Sequence, residues 1–333
     1  MGGNALKEYN VVRLNATEYH QLVKEIKIKL ITLFPEYRFD IIPAYHTKKS
    51  FGDMDILYSG KDISQFYKTI QDKFMPIGYI NNGSVLSITY PINDKLFQVD
   101  FIKVKPEDHN FALRYFSYND LGNLLGRIYH KMGLKFGHTG LKYIIRDPNN
   151  ITTVIKEILI TNDWEYVIQL GKFPTYNEKL FNTLEDVFLY VIQSPYFNNN
   201  IFLLENRNHI SRVRDKKRIS YMLFLRWIKH RKDLPEYDWT NKEEIRTNTL
   251  DILFNDFPEF KREYDNVLTD FYKHKELHQK YNGILVGRWT GLSGKELGNF
   301  MKSIKGIITS EFIDNSTDIE IENKIKELYM EIN

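Results

Sequence analysis

The run KLFQVDFIKV, residues 95–104, has the β-branched and aromatic content of a strand, yet it places a carboxylate at its centre. An isolated carboxylate is costly to bury, so Asp100 needs water or a partner on its side of any sheet. Alternation puts Gln98, Asp100 and Ile102 on one face and Val99 and Phe101 on the other. A second strand offers the partner. KKSFGDMDILYSG, residues 48–60, opens its apolar run with Asp53 and Asp55, which share a face while Met54 and Ile56 share the other. Two unneutralised carboxylates that close together repel, so the pattern calls for a cation; the competing reading is an acidic strand entrance in solvent. Were the two strands neighbours, three carboxylates would converge, an oxygen donor set suited to Mg²⁺ or Mn²⁺. Two such ions about 3.5–4 Å apart clamp the attacking and leaving oxygens of a phosphoryl transfer.

The flanking segments predict the frame. Residues 17–33 have helical spacing behind caps at Asn15 and Thr17. RFDIIPAY reads as a strand ended by Pro43, and the basic loop HTKKSFG follows it. A helix is expected over 61–75 and strands over 84–90 and 95–104, with NNG and PIND as turns. The fold class is therefore α+β: a mixed sheet with helices over 1–108, a helical segment over 109–160, and a largely helical region over 161–333. NDLGNLLGRIYHKMG reads as a helix, as does most of 150–280 with breaks near Pro174, Pro195, Pro235 and Pro258.

Composition narrows the chemistry. The absence of cysteine excludes disulfides, thiolate metal sites and cysteine nucleophiles, and suits a reducing compartment. A net charge of only +3 means that nucleic-acid affinity must come from local clusters. No run is apolar enough to span a bilayer, no signal-peptide pattern opens the chain, and Leu6 stands where a myristoylation signal at Gly2 would need Ser or Thr. The expectation is a cytoplasmic monomer without a membrane partner, a setting that includes a viral origin.

GDMDIL followed later by VDFI resembles the palm of the DNA polymerase beta-like nucleotidyltransferase superfamily. The likeness continues through VDFIKVKPEDHNFALRYFSYNDLGNLLGRIYHKMGLKFG and is nearest to the palm and thumb start of the family X DNA polymerases. It implies that Asp53, Asp55 and Asp100 bind two divalent ions and that Asp100 also activates a primer 3′-hydroxyl. It implies that Tyr115 and Phe116 flank the incoming sugar and crowd a 2′-hydroxyl, and that Asp120, Asn123 and Arg127 lie near the incoming base and the template. The last three are also spaced i, i+3, i+7, on one helix face, where an amide and a guanidinium suit a base edge and a template strand; the alternative is a plain solvent face with an Asp cap.

The resemblance fails at one point. The superfamily carries a Gly-Ser turn ahead of the acids to cradle the triphosphate, whereas this chain offers Ile42 and Pro43, or Ala44 and Tyr45. Proline has no N–H to donate. His46, Thr47, Lys48, Lys49, Ser50 and Gly52 are the replacement candidates for nucleotide contact. The stretch ahead of the acids is too short for the lyase domain of repair polymerases, so no deoxyribose-phosphate lyase activity is expected.

Residues 205–232 are densely basic, and Arg212, Arg214, Lys216, Lys217 and Arg218 are the expected nucleic-acid contacts, above an apolar stripe of Ile219, Met222, Leu223, Trp227 and Ile228. The competing reading is a solvated face on a core helix. GLSGKELGNFMKSIK looks like a helix–turn–helix with Leu292, Leu297 and Met301 turned inward, and weakly resembles a C-terminal segment of CCA-adding enzymes and poly(A) polymerases. The leading expectation is a compact family X-like DNA polymerase using nucleoside triphosphates and a DNA primer-template. An RNA or tRNA nucleotidyltransferase acting on an RNA 3′ end, and a non-catalytic nucleic-acid-binding or virion-associated module, stay open beside it.

Overall fold

The computed structural model describes residues 5–60 and 63–332; the reading of Gly2 and the expected helix start at 61 lie outside the described residues. Short strand β1 (Leu14–Asn15) leads into helix α1 (Ala16–Leu33), whose start is fixed by a capping box in which Asn15 and Glu18 satisfy each other's backbone N–H groups. Strands β2 (Arg38–Ile41), β3 (Ser50–Phe51) and β4 (Asp53–Ser59) follow, with a bend at Gly52. Next come helix α2 (Ile63–Phe74) and strands β5 (Tyr79–Asn82), β6 (Val85–Ile92) and β7 (Lys95–Lys103). Five of these strands form one sheet in the order β2-β4-β7-β6-β5, in which β4 and β7 run parallel and the other pairs antiparallel.

One face of this sheet carries Met54, Ile56, Tyr58, Val99 and Phe101, which pack with Tyr19, Leu22, Ile26 and Leu30 of α1 and Phe66, Ile70 and Phe74 of α2 in a continuous core. Each fully buried side chain of this kind stabilises the fold by about 1.5–3 kcal/mol. That commits the period-two partners Asp53, Asp55, Gln98 and Asp100 to the opposite face. The expected turn at Asn93–Asp94 is present, with Asn93 left-handed at φ 53°. The NNG turn needs correction, because Asn81 and Asn82 are the end of β5 and only Gly83, at φ +63°, enters the two-residue loop.

Helices α3 (His109–Phe116) and α4 (Leu121–Lys131) follow the sheet. The helical expectation for the rest of 109–160 is wrong: β8 (Leu134–Gly137), β9 (Gly140–Asp147) and β10 (Asn150–Thr161) form a three-stranded sheet. ITTVIKEILIT is rich in β-branched residues, and those disfavour helix and suit a pleated surface. Helices α5 (Trp164–Leu170), α6 (Leu184–Ile192), α7 (His209–Lys216) and α8 (Ile219–Lys229) come next.

The basic 205–232 stretch contains two helices, and of its expected buried stripe only Ile228 is fully buried. Ile219, Met222 and Leu223 are exposed, whereas Ser220, Tyr221, Phe224 and Ile228 are buried. Tyr221 and Phe224 take the core instead and pack near Phe202 and Phe188.

The chain divides into two compact units, Met1–Ile144 with Glu157–Phe257, and Ile145–Lys156 with Pro258–Asn333. The second has its own core of Leu277, Val286, Phe300, Ile304, Ile321, Ile325 and Leu328, against which Leu292, Leu297 and Met301 pack half-buried. The expected helix–turn–helix within 291–305 is corrected: that stretch holds the single helix Gly294–Ser303, and its partner helix, Gly283–Thr290, precedes it across Gly291, left-handed at φ 77°. Among the described residues no helix is long and apolar enough to cross a membrane.

Candidate metal and nucleotide site

The parallel register places Asp55 directly beside Asp100 and Asp53 beside Gln98. The ligand oxygens of Asp53, Asp55 and Asp100 all lie within 4.8 Å of one another. Asp100 is buried and the other two are half-buried. Burial pushes the Asp55 carboxyl well above the usual range, and the charges of Asp53 and Asp100 push it further. Burial likewise pushes Asp100 up to about 6, with Asp53 adding to it, although hydrogen bonds from Ser87 and Gln98 hold it back. The donors to Asp100 are thus neutral: Gln98 Nε2 reaches both its oxygens, at 3.0 and 2.8 Å. The set of three carboxylates could hold a hard divalent cation.

On one side of the acids the same sheet face turns apolar. Leu57 clusters there with Val104 and Ala112, and Ile42, Ile102, Leu113 and Phe116 pack against them, so that α3 covers this part of the face. On the other side Gln98 accepts backbone N–H bonds from Ala5 and Leu6. The acids form a polar strip between these two covers.

The loop joining β2 to β4 borders the strip. Lys48 carries a positive charge that acts on Asp53 and Asp55, while burial lowers its own pKa, and its ammonium lies 4.7 Å from the centre of the Phe51 ring. Phe51 in turn stacks on buried Tyr19 at 3.8 Å. Ser50 is engaged by Arg13, whose Nε donates to Ser50 Oγ at 2.9 Å. His46 is drawn away: its Nδ1 lies 3.0 Å from Asn182 Oδ1 and its N–H donates to the Phe181 carbonyl. The N–H groups of Ile42, Thr47 and Lys48 are likewise committed, to Asp55, Asn182 and Tyr45. Lys49 is exposed and Gly52 is buried.

Tyr115 and Phe116 end α3 as a T-shaped pair at 5.3 Å, and His138 stacks on Phe116 at 5.3 Å. The Tyr118 N–H donates to the Pro43 carbonyl at 2.8 Å, which ties this aromatic corner to the loop.

The helix face carrying Asp120, Asn123 and Arg127 exists, but the protein itself covers it. Asp120 is 6% exposed and paired with Arg218. Asn123 Oδ1 accepts from Arg214 at 3.3 Å. Arg127 is 8% exposed, donates through Nε and a terminal nitrogen to the Ile201 carbonyl, and is brought down to about 10 by burial and by Arg207. Arg127 as a template contact is therefore corrected to a buried structural arginine. A guanidinium can be buried when a carbonyl satisfies its planar donors, and sequence spacing alone does not reveal that carbonyl. Of the basic candidates, Lys216 and Lys217 are exposed and Arg212 is half-exposed, whereas Arg214 and Arg218 spend their donors on Asn123, Asp215 and Asp120.

Gln98, which holds Asp100, was not among the expected site residues. Its signal was a second polar side chain two positions before Asp100 on the same strand face, in an otherwise apolar run. No family model matches the chain, and no curated protein matches it.

Proposed function

We propose that the protein is a metal-dependent nucleotidyltransferase that adds deoxynucleotides to a primer 3′-hydroxyl and releases pyrophosphate, in the manner of a compact family X-like polymerase. The observation that carries this reading is the convergence of Asp53, Asp55 and Asp100 across two adjacent parallel strands, on the sheet face that the two core helices leave free. These three would hold Mg²⁺ or Mn²⁺, whose charge would lower the barrier to attack on the α-phosphate and to pyrophosphate departure. Asp100 is the acid to which the resemblance assigns the proton of the attacking hydroxyl. Lys48 and exposed Lys49 supply cationic side chains for the triphosphate, in place of a backbone cradle whose N–H groups at Ile42, His46, Thr47 and Lys48 are already bonded within the chain. Tyr115 and Phe116 crowd the sugar and favour a deoxynucleotide. Exposed Lys216 and Lys217, with Arg212, offer phosphate contacts to the nucleic acid.

Primer extension on gapped, nicked and single-stranded DNA and on tRNA, with Mg²⁺ or Mn²⁺, tests the proposal. Extension of gapped DNA with deoxynucleotides, lost in Asp100→Ala, is the expected result. Extension of tRNA alone would select an RNA nucleotidyltransferase, and no extension of any substrate would refute the enzyme.

A further inference from the structure

Asp100 is held by a neutral amide, and that amide is itself held by the backbone of a distant segment. Gln98 is 2% exposed. Its Nε2 donates to both oxygens of Asp100, and its Oε1 accepts from the N–H groups of Ala5 at 3.1 Å and Leu6 at 3.3 Å. The amide orientation is unambiguous, because a carboxylate only accepts and a backbone N–H only donates.

The segment that supplies those donors is anchored independently. Leu6 is fully buried, and the Val12 N–H donates to the Leu96 carbonyl at 2.8 Å. The ring of Tyr9 lies so close over Gly78 that a Cβ there would come within 2.2 Å of it. The segment therefore runs beside β7 from Gln98 to Leu96, pinned at both ends.

We infer that Ala5–Val12 is part of the acidic site, coupled to Asp100 through Gln98 as a positioning residue for the divalent cation. The inference rests on the metal reading above and extends it. Three carboxylates facing one another tend to splay apart, and a donor is needed to hold Asp100 in place before a cation arrives. A lysine or arginine at position 98 would fix Asp100 and also neutralise it, so it would compete with the cation. An amide fixes it and leaves the charge available. The amide can aim its N–H groups at Asp100 only while something holds its oxygen, and the Ala5 and Leu6 N–H groups do so.

The test is Mn²⁺ titration of the full chain, followed by the free-ion EPR signal, in wild type, Gln98→Met, Ala5→Pro and the double variant. Methionine keeps the volume of glutamine without its donors, and proline removes the Ala5 N–H. Gln98→Met should weaken Mn²⁺ about 10–100-fold, the usual effect of removing a group that orients a metal ligand. Ala5→Pro should weaken it several-fold. The double variant should match Gln98→Met within about twofold, because the segment acts only through the amide. A merely structural contribution would leave the two substitutions independent. Gln98→Met that is folded by circular dichroism and binds Mn²⁺ as wild type does would overturn the coupling, as would independent, multiplying effects. If Gln98→Met does not fold, Ala5→Pro decides alone: unchanged Mn²⁺ affinity overturns the coupling and a several-fold loss supports it. Wild type that binds no Mn²⁺ would instead overturn the metal reading beneath it.

Discussion

Replacing Asp100 by asparagine should stabilise the protein in the absence of metal, which is the reverse of the usual effect of altering a buried, hydrogen-bonded side chain. The magnitude follows from the site. Asp100 moves from an ordinary 3.8 to about 6 on folding, through burial and the nearby charge of Asp53. At about 1.36 kcal/mol for each tenfold change in proton affinity, that is about 3 kcal/mol of strain in the ionised form. Asparagine removes the charge but gives up one carboxylate oxygen as acceptor for Gln98 and Ser87, so the net gain should be about 1–2 kcal/mol.

A carboxyl that holds its proton more tightly when folded than when unfolded gives a stability deficit that is full above pH 6. The deficit fades as pH falls through 6 and is gone below 3.8. The advantage of Asp100→Asn should follow that curve, present at pH 8 and absent at pH 4. Urea unfolding in EDTA at both pH values measures it. Saturating Mn²⁺ should invert the order at pH 8, because only wild type gains about 2.7 kcal/mol from a ligand at a hundred times its Kd. An Asp100→Asn variant less stable than wild type at pH 8 in EDTA, by 1 kcal/mol or more, would refute the reasoning, since the carboxylate charge would then be favourable without a cation.

Further outcomes follow from the rest of the site. Arg127→Met should cost about 1–3 kcal/mol in urea unfolding by leaving the Ile201 carbonyl without its donors, and should leave the salt dependence of DNA binding unchanged. Charge reversal at exposed Lys216 and Lys217 should do the opposite, lowering the slope of log K against log salt by about 2 with no loss of stability. His109 is fully buried, its Nδ1 2.9 Å from Ser59 Oγ and its Nε2 3.0 Å from Asp40, and burial together with Arg38 lowers its pKa despite Asp40. The unfolded chain therefore binds that proton more readily, and stability should fall as pH drops below about 6.5. His109→Gln should flatten that limb in a pH series of unfolding midpoints.

Much of the acidic site could be read from the chain because its logic is local. Period-two alternation in two strands fixed which aspartates share a face, and the apolar residues between them fixed which face had to be buried. Only the adjacency of β4 and β7 needed the structure. The errors arose where local patterns have more than one tertiary solution. ITTVIKEILIT carries apolar residues compatible with either period, and its β-branched content prevailed once a neighbouring strand was present. Arg127 stands at template-reading spacing, but the same spacing faces the Ile201 carbonyl, which lies 74 residues on. Within the helix Ile219–Lys229 two apolar faces compete, and the larger aromatic pair Tyr221 and Phe224 is buried with Ile228 while Ile219, Met222 and Leu223 face outward. Gln98 was visible, yet its meaning depends on the backbone of Ala5 and Leu6, which no strand pattern records.

The central claim is that Asp53, Asp55 and Asp100 together hold divalent cations at a triphosphate. Anomalous X-ray diffraction from crystals grown with Mn²⁺ and a non-hydrolysable deoxynucleoside triphosphate tests it most directly. The account predicts anomalous density at about 2.1 Å from oxygens of all three aspartates, with the triphosphate beside it. Mn²⁺ density elsewhere, or a triphosphate bound with no ion among these carboxylates, would contradict it.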